Sequence, residues 1–271
     1  MGSGIFCAAA VVALALQSAP VAPVPLKPVG PWIVDYADSM CLLQRQFGSG
    51  DAAVFLGFRP GLFSEHMRVV VMRKSTDRST RFGTAELSFD GGPALKASYR
   101  EGWLEKQKSR VTFIDLKGPD LAPLSQAKQF RIKAGKADII LEPARVEAAL
   151  KALEPCQKDL LIGWGMTKET LDSIATFAAP RSDILDFTSN DYPTAAIRKH
   201  EQGTSGVRYW VSTEGKARDC RVVEPSGSAV LDAQTCAIIT KRGNFTPAKT
   251  KNGDAVESIG FSRVHWLLPG S

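Results

Sequence analysis

Histidine is the side chain best suited to proton transfer near neutral pH, and the sequence contains only His66, His200 and His265. Two of them adjoin a glutamate, in Glu65-His66 and His200-Glu201, and each pair could act as an acid and a base. The sequence has no nucleophile-elbow glycine pattern, no HExxH spacing and no phosphate-binding glycine loop. We therefore predict that the protein is not an enzyme, that it uses no cofactor, and that its histidines are surface or strand residues.

Cysteine is the second reactive residue type, and the chain has five: Cys7, Cys41, Cys156, Cys220 and Cys236. Removal of an N-terminal signal that contains Cys7 leaves four, which suits a disulfide framework in an oxidising compartment. Of the three possible pairings we favour Cys41 with Cys156 and Cys220 with Cys236, because each pair lies inside one predicted domain. Four buried free thiols are the alternative. No metal site is expected, because no two cysteines have the close spacing of zinc ligands.

An apolar run from Ile5 to Leu16 predicts export of the protein. The run is shorter than the roughly 20 residues that a membrane-spanning helix needs. Small residues follow it at 17–19 and 21–23, as in a signal-peptidase site. We predict a signal peptide over residues 1–22. A short uncleaved anchor is the alternative, because residues 1–4 carry no lysine or arginine.

The composition is that of an ordinary soluble globular protein, with 44% hydrophobic and 23% charged residues. Residues 1–180 carry 22 Lys+Arg and 18 Asp+Glu, and residues 181–271 carry 12 and 10, so the net charge of +6 is not concentrated in either region. Nucleic-acid binding requires a concentrated basic patch, and the sequence shows none. We therefore expect no nucleic-acid partner.

A proline-rich stretch precedes the globular part of the chain. Five prolines between residues 20 and 31 predict a stiff, extended spacer over residues 23–31. Residues 32–165 then contain short β-prone runs that are separated by turn signals such as Asp90-Gly-Gly-Pro. This pattern predicts a β-rich domain, either an antiparallel sandwich or a barrel-like sheet, and we recognise no family in it.

Two helices are predicted between this domain and the C-terminal part of the chain. The first begins at Pro143 and packs on the sheet through Ala149, Leu153 and Cys156. The second lies in a connector of residues 166–190, with an apolar face of Leu171, Ile174 and Phe177. Pro180 and the polar run 188–191 predict a hinge within this connector.

Residues 191–268 predict a small ββαβ module, which makes the whole chain α+β. Val207, Tyr209 and Val211 alternate with polar or outward-facing residues, as in a half-buried strand. A turn at Gly215 leads to a second strand that begins at Cys220. Ser228 is the expected N-cap of a helix with Leu231, Thr235 and Ile238 on one face. A final β-prone run extends from Val256 to Leu267.

The order of motifs over residues 185–267 resembles the C-terminal domain of TonB-like energy transducers. The matching features are Tyr192-Pro193, Gly203, Gly215, Val222-Val223, Ser226-Gly227, Leu231-Asp232, Phe245-Thr246-Pro247-Ala248 and Val264-His265-Trp266. The resemblance implies a periplasmic protein whose final strand captures a short peptide from an outer-membrane transporter or another envelope protein. Carried over by position, the partner-binding residues are Ile259, Phe261, Arg263 and His265. The alternative is that the first domain covers this edge strand or that a homodimer forms through it.

The chain departs from this family in the part that would transmit force. A force-transmitting member has a membrane anchor that meets an inner-membrane motor complex, and a long arm that crosses the periplasm. This chain has an extra folded domain where the arm would lie, and only a short apolar segment before it. Two functions therefore remain open: coupling of inner-membrane energy to outer-membrane transport, or a periplasmic adaptor that binds envelope components without energy transduction.

Overall fold

The computed structural model describes residues 23–63, 66–181 and 187–268. The N-terminal part is a single antiparallel sheet with the strand order β1-β2-β3-β4-β7-β6-β5-β8-β9. Its strands are β1 Pro28–Ala37, β2 Met40–Phe47, β3 Val54–Pro60, β4 His66–Lys74, β5 Arg81–Phe89, β6 Leu95–Leu104, β7 Ser109–Lys117, β8 Phe130–Ala134 and β9 Ala137–Leu141. We call this sheet and the helices packed on it, residues 24–164, the N-terminal unit.

The sheet is curled, so the barrel-like alternative describes it and the two-sheet sandwich does not. The curl brings Leu26, just before β1, next to the end of β9. Leu26 N–H donates to the carbonyl oxygen of Ile140 at 2.8 Å, and Glu142 N–H donates to the carbonyl oxygen of Leu26 at 3.0 Å. Alternate strand residues fill the interior, as shown by the fully buried Leu56 and Phe58 of β3.

The predicted spacer over residues 23–31 is wrong for most of its length. Leu26 pairs with β9 and Pro28 already begins β1. Proline lacks a backbone N–H, but β1 is an edge strand, where one missing donor does not interrupt a ladder on both sides. Pro28 and Pro31 therefore lie in the edge strand and not in a free spacer.

Two short helices replace the single helix predicted after Pro143. They are α1 Val146–Lys151 and α2 Leu153–Gly163, and the chain turns between them at Ala152. Leu153 and Cys156 point into the core of the N-terminal unit. A disulfide joins Cys156 to Cys41 of β2, with a Cα–Cα distance of 6.0 Å, and this is the pairing that the sequence favoured.

The described parts of the predicted connector, residues 166–181 and 187–190, are folded onto the C-terminal part of the chain. It contains α3 Lys168–Ser173, β10 Ile174–Thr176 and β11 Ala179–Pro180. The predicted helix is therefore right at Leu171 and wrong at Ile174 and Phe177. The polar run is also fixed, because buried Asp191 forms an ion pair with Arg242 that lowers the pKa of the Asp191 carboxyl to about 2.

The C-terminal part has the predicted order of strand, strand, helix and strand in its main elements. These elements are α4 Thr194–Arg198, β12 Gly203–Val211, β13 Ala217–Glu224, α5 Ala229–Arg242, β14 Phe245–Thr246, β15 Ala248–Thr250, β16 Ala255–Val256 and β17 Ser258–Trp266. The main sheet has the order β13-β12-β17, while β10 pairs with β15 and β11 with β14. We call residues 166–268 the C-terminal unit, because the former connector is part of its structure.

Helix α5 is held on the sheet by the contacts that its sequence predicts. The Ser228 hydroxyl accepts a hydrogen bond from the N–H of Leu231 at 3.3 Å, which caps the helix. The predicted face of Leu231, Thr235 and Ile238 is buried. A second disulfide joins Cys236 of α5 to Cys220 of β13, again the favoured pairing.

The N-terminal apolar segment, including Cys7 and the run from Ile5 to Leu16, lies outside the described residues. Among the residues that the structure does describe, no helix has the length and apolar character of a membrane span. The same residues contain no group of three or more side chains arranged to hold a metal ion.

Candidate partner-binding edge

Strand β17 lies at one edge of the C-terminal sheet. Its residues from Ser258 to Trp266 pair with residues 203–211 of β12 in unbroken antiparallel register. Within residues 23–63, 66–181 and 187–268, no strand pairs with the other side of β17. An edge strand keeps a row of backbone N–H and C=O groups that an added strand can satisfy.

Neighbouring side chains of β17 point to opposite faces of the sheet. Val264 and Trp266 lie on the helix side, in a buried cluster with Leu231 of α5. The opposite face therefore carries the four residues that were predicted to bind a partner: Ile259, Phe261, Arg263 and His265. The N-terminal unit packs against this face, so Ile259 is buried and Phe261 and Arg263 are half-buried, whereas His265 stays exposed.

Apolar contacts hold the two units together at Ile259 and Phe261. Ile259 is completely buried in a cluster with Leu161 and Trp164 of the N-terminal unit. Phe261 stacks on Trp164, with 5.7 Å between the ring centroids. Aromatic pairs of this kind contribute about 0.5–1.5 kcal/mol beyond the area that they bury. Both side chains therefore serve the contact between the units.

Glu224 bridges the two units by accepting hydrogen bonds from two arginines. Nε and Nη2 of Arg263 each donate to a different carboxylate oxygen at 2.5 Å, which makes this pair bidentate. Nη2 of Arg59, in β3 of the N-terminal unit, donates to Oε1 of Glu224 at 2.7 Å. The exposed fractions of the three side chains are only 12% to 22%, so solvent screens this bridge less than a surface ion pair.

His265 contacts one residue of each unit, and these contacts favour its neutral form. Its Nδ1 atom lies 3.2 Å from Nη1 of Arg100 and 2.7 Å from the hydroxyl of Thr204. A guanidinium can only donate, so Nδ1 must accept and cannot carry a proton in this arrangement. Partial burial, and then the charges of Arg100 and Arg68, lower the pKa of His265 to about 4, while the charge of Asp115 opposes the shift.

We predict that acid loosens the contact between the units through His265. Its pKa is about 6.5 in the unfolded chain and about 4 in the folded one, so the unfolded chain binds more protons between these values. Stability should therefore fall as the pH drops from about 6.5 towards 4. The His265→Gln variant, which does not titrate, should show a shallower fall of the thermal unfolding midpoint over this window. The exposed His200 supplies the control variant His200→Gln, and equal slopes in both variants would contradict the assignment.

A groove of about 440 Å³ follows the outer side of β17. Residues 260–263 of the strand all line it. Consecutive strand residues point to opposite faces, so a groove that contacts all four lies against the strand edge and not against one face. We call it the β17 groove. Its other walls come mainly from Ser39, Met40, Arg59, Pro60, Gly61, Leu62, Phe63, Gln157, Ala178, Ala179 and Pro180.

Gly260 shapes the sheet next to this groove. A Cβ atom at this position would lie 2.4 Å from the ring of Tyr209, which is far closer than van der Waals contact allows. The tyrosine therefore packs directly over the glycine, and its hydroxyl lies 2.9 Å from the hydroxyl of Ser262. Burial raises the pKa of Tyr209 to about 12, so the phenol stays protonated.

The structure places two of the four predicted partner-binding residues at the groove and two elsewhere. Phe261 and Arg263 line it, whereas Ile259 and His265 lie in other parts of the contact between the units. Arg59 also lines the groove, and nothing in the sequence around it indicated this position. Its partner Glu224 is 165 positions away, a distance at which local periodicity carries no information.

The two histidines whose glutamate neighbours could have suggested acid–base chemistry lie in different parts of the fold. His66 lies at the start of β4 and borders the β17 groove, while Glu65 lies outside the described residues. His200 is exposed just after α4.

Comparison with protein families agrees with the resemblance of the C-terminal unit. Residues 188–267 match the family model described as the Gram-negative bacterial TonB protein C-terminal domain. A comparison with curated proteins found no match. The chain therefore carries a TonB-like C-terminal domain, and this domain indicates a TonB-like protein of the bacterial envelope.

Proposed function

We propose that this is a periplasmic TonB-like protein that binds a partner protein by adding a strand of the partner to the edge of β17. The observation that carries the proposal is the β17 groove, which follows four consecutive residues of a strand edge to which no described strand is paired. Backbone hydrogen bonds would supply affinity, and the walls of the groove would supply selectivity. The proposal assigns the protein a non-enzymatic role.

The partner we propose is the periplasmic peptide of an outer-membrane transporter, as the TonB-like domain suggests. Energy coupling would further require that the N-terminal apolar segment stay in the inner membrane and meet a motor complex. We also propose that residues 1–22 are a signal peptide and that the rest of the chain forms the two domains predicted from the sequence. Maturation of the exported protein tests the signal peptide. Sequencing the N-terminus of the exported protein distinguishes a cleaved signal from a retained anchor.

An adaptor without energy transduction is the second candidate, and the connector favours it. Strands β10 and β11 pair with β15 and β14, so residues 174–180 are part of the C-terminal unit and supply no free arm. Glu224 and the apolar contacts further join the C-terminal unit to the N-terminal unit. Such a compact arrangement suits a protein that docks envelope components in place.

Site-specific cross-linking in the bacterial envelope tests the proposed function. A diazirine-bearing amino acid replaces Ala179, an exposed small residue of the groove wall, in the full chain. We expect a light-dependent product whose mass spectrum contains the periplasmic peptide of an outer-membrane transporter. A product with a soluble envelope protein would support the adaptor instead. The same amino acid at the exposed Ala233 of α5 is the control, and equal products at both positions would contradict a site at β17.

Filling the groove should block the partner. The Ala179→Trp variant places an indole against the space beside β17, and the exposed position imposes little cost on the core. We expect binding of the captured peptide, measured by fluorescence anisotropy, to weaken by about tenfold or more, which corresponds to at least about 1.4 kcal/mol. The matched variant Ala233→Trp adds the same side chain on the far side of the unit and should bind as the unchanged protein does.

A further inference from the structure

The β17 groove is built by both units of the chain. The C-terminal unit supplies the edge of β17, and the N-terminal unit supplies the facing wall through Met40, Arg59 and Leu62. The bridge from Arg59 through Glu224 to Arg263 fixes one wall relative to the other. A strand that entered the groove would therefore contact the N-terminal unit with the side that faces away from β17.

The charge of the groove is one-sided. None of the described residues that line the groove is an aspartate or a glutamate. Two of them, Arg59 and Arg263, are arginines. Two guanidinium groups share the single carboxylate of Glu224, which leaves one positive charge in excess. Each guanidinium has five N–H donors, and the bonds to Glu224 use one nitrogen of Arg59 and two of Arg263. Within the described part of the chain, N–H donors of both groups therefore remain for an acidic ligand.

Apolar side chains make up much of the remaining lining. Leu62 and Phe63 come from the N-terminal unit, and Phe261 and Pro180 come from the C-terminal unit. The low exposure of Arg59 and Arg263, 12% and 22%, reduces solvent screening of a carboxylate placed beside them. A lysine side chain at the same place would be repelled by the positive charges of Arg59 and Arg263.

We propose that the N-terminal unit selects the partner: the groove accepts an extended segment of another protein that has apolar side chains and one acidic side chain, with the carboxylate beside Arg59 and Arg263. This inference rests on the proposed function, because it assumes strand addition at β17. It adds that the domain of unrecognised family is one half of the binding site. The C-terminal unit alone would retain the edge of β17 and lose the selective wall.

Two matched peptides test the charge selectivity. Both are fluorescein-labelled hexapeptides of alternating valine and threonine, and they differ in one residue, glutamate or lysine. We expect the glutamate peptide to bind the full chain about tenfold more tightly than the lysine peptide in fluorescence anisotropy. The Arg59→Met variant should reduce this ratio to about twofold or less, since Arg263 keeps Glu224 paired in that variant. Equal binding of both peptides to the unchanged protein would overturn the inference.

The control variant removes an arginine–carboxylate pair far from the groove. Arg131 contacts Asp138 through two hydrogen bonds of 2.7 and 2.6 Å between β8 and β9. Arg131→Met should leave the ratio between the two peptides unchanged. A ratio that fell as much as in Arg59→Met would mean that general surface charge, and not the groove, selects the peptide.

Cross-linking from the facing wall separates failure of this inference from failure of the proposed function. A diazirine-bearing amino acid at Met40 of the N-terminal unit should form a product with the same glutamate peptide that is captured from Ala179. Capture from Ala179 without capture from Met40 would overturn the inference and leave strand addition in place. Capture from neither position, or a product joining two copies of this chain, would overturn both.

Discussion

Replacing Cys41 and Cys156 together with alanine should lower the free energy of unfolding by about 4 to 5 kcal/mol. The disulfide closes a loop that spans 115 positions, and loop-closure entropy in the unfolded chain grows with loop length. Both cysteines are almost completely buried, and their link fixes α2 to β2. Urea unfolding followed by tryptophan fluorescence measures the loss through the shift of the midpoint.

The second disulfide supplies the matched control for this experiment. Cys220 and Cys236 are separated by 16 positions, so the same entropy relation predicts a loss of about 3 kcal/mol for the double alanine variant. The effect of the first pair should therefore be the larger one. A smaller loss for Cys41 and Cys156 than for Cys220 and Cys236 would show that the long loop is already constrained in the unfolded chain.

Replacing Glu101 with glutamine should lower the free energy of unfolding by about 3 to 5 kcal/mol. Glu101 and Arg110 are both inaccessible to solvent, and Nη1 of Arg110 donates to Oε2 of Glu101 at 2.9 Å. Arg81 and the hydroxyl of Thr112 also donate to this carboxylate. The substitution removes the negative charge of Glu101, so the guanidinium of Arg110 loses its fully buried counter-ion. The Nε atom of Arg110 already has no hydrogen-bond partner among the described residues.

An exposed ion pair of similar geometry is the control for Glu101. Arg131 and Asp138 form a bidentate pair, and their side chains are 37% and 38% exposed. Asp138→Asn should cost at most about 1 kcal/mol, because water screens the pair and solvates the remaining arginine. Equal losses of unfolding free energy for Glu101→Gln and Asp138→Asn would contradict the view that burial makes the Glu101–Arg110 pair contribute more to stability.

Much of the C-terminal unit could be predicted from local patterns. The alternation around Tyr209 and the spacing of Leu231, Thr235 and Ile238 describe elements whose side chains point in directions set by strand and helix geometry. The Ser228 cap depends on a contact only three residues along the chain. The disulfide pairings followed from the assumption that each pair stays within one domain. The strand, helix and cap predictions succeeded because each depends on neighbours in sequence, whereas the Cys41–Cys156 pairing depended on the domain assignment.

The predictions failed where the outcome depends on distant partners. The prolines of residues 23–31 predict a spacer, and the neighbouring sequence does not show that Leu26 pairs with the distant strand β9. Pro180 and the polar run 188–191 predict a hinge in the connector, and the local sequence does not show that Ile174 pairs with the distant Thr250. Short strands of two or three residues have almost no periodicity of their own, so only their partners define them.

The order of motifs along the chain was sufficient to identify residues 188–267 as a TonB-like domain. The resemblance to that family also implied a partner-binding set of Ile259, Phe261, Arg263 and His265, carried over by position, and these four residues share one face of the strand. Only the tertiary structure decided what that face does. The N-terminal unit covers it and, together with the edge of β17, forms a groove beside it. The physical reason is that docking depends on shape and charge matched between distant segments, such as Arg59 and Glu224, and local periodicity does not encode those matches.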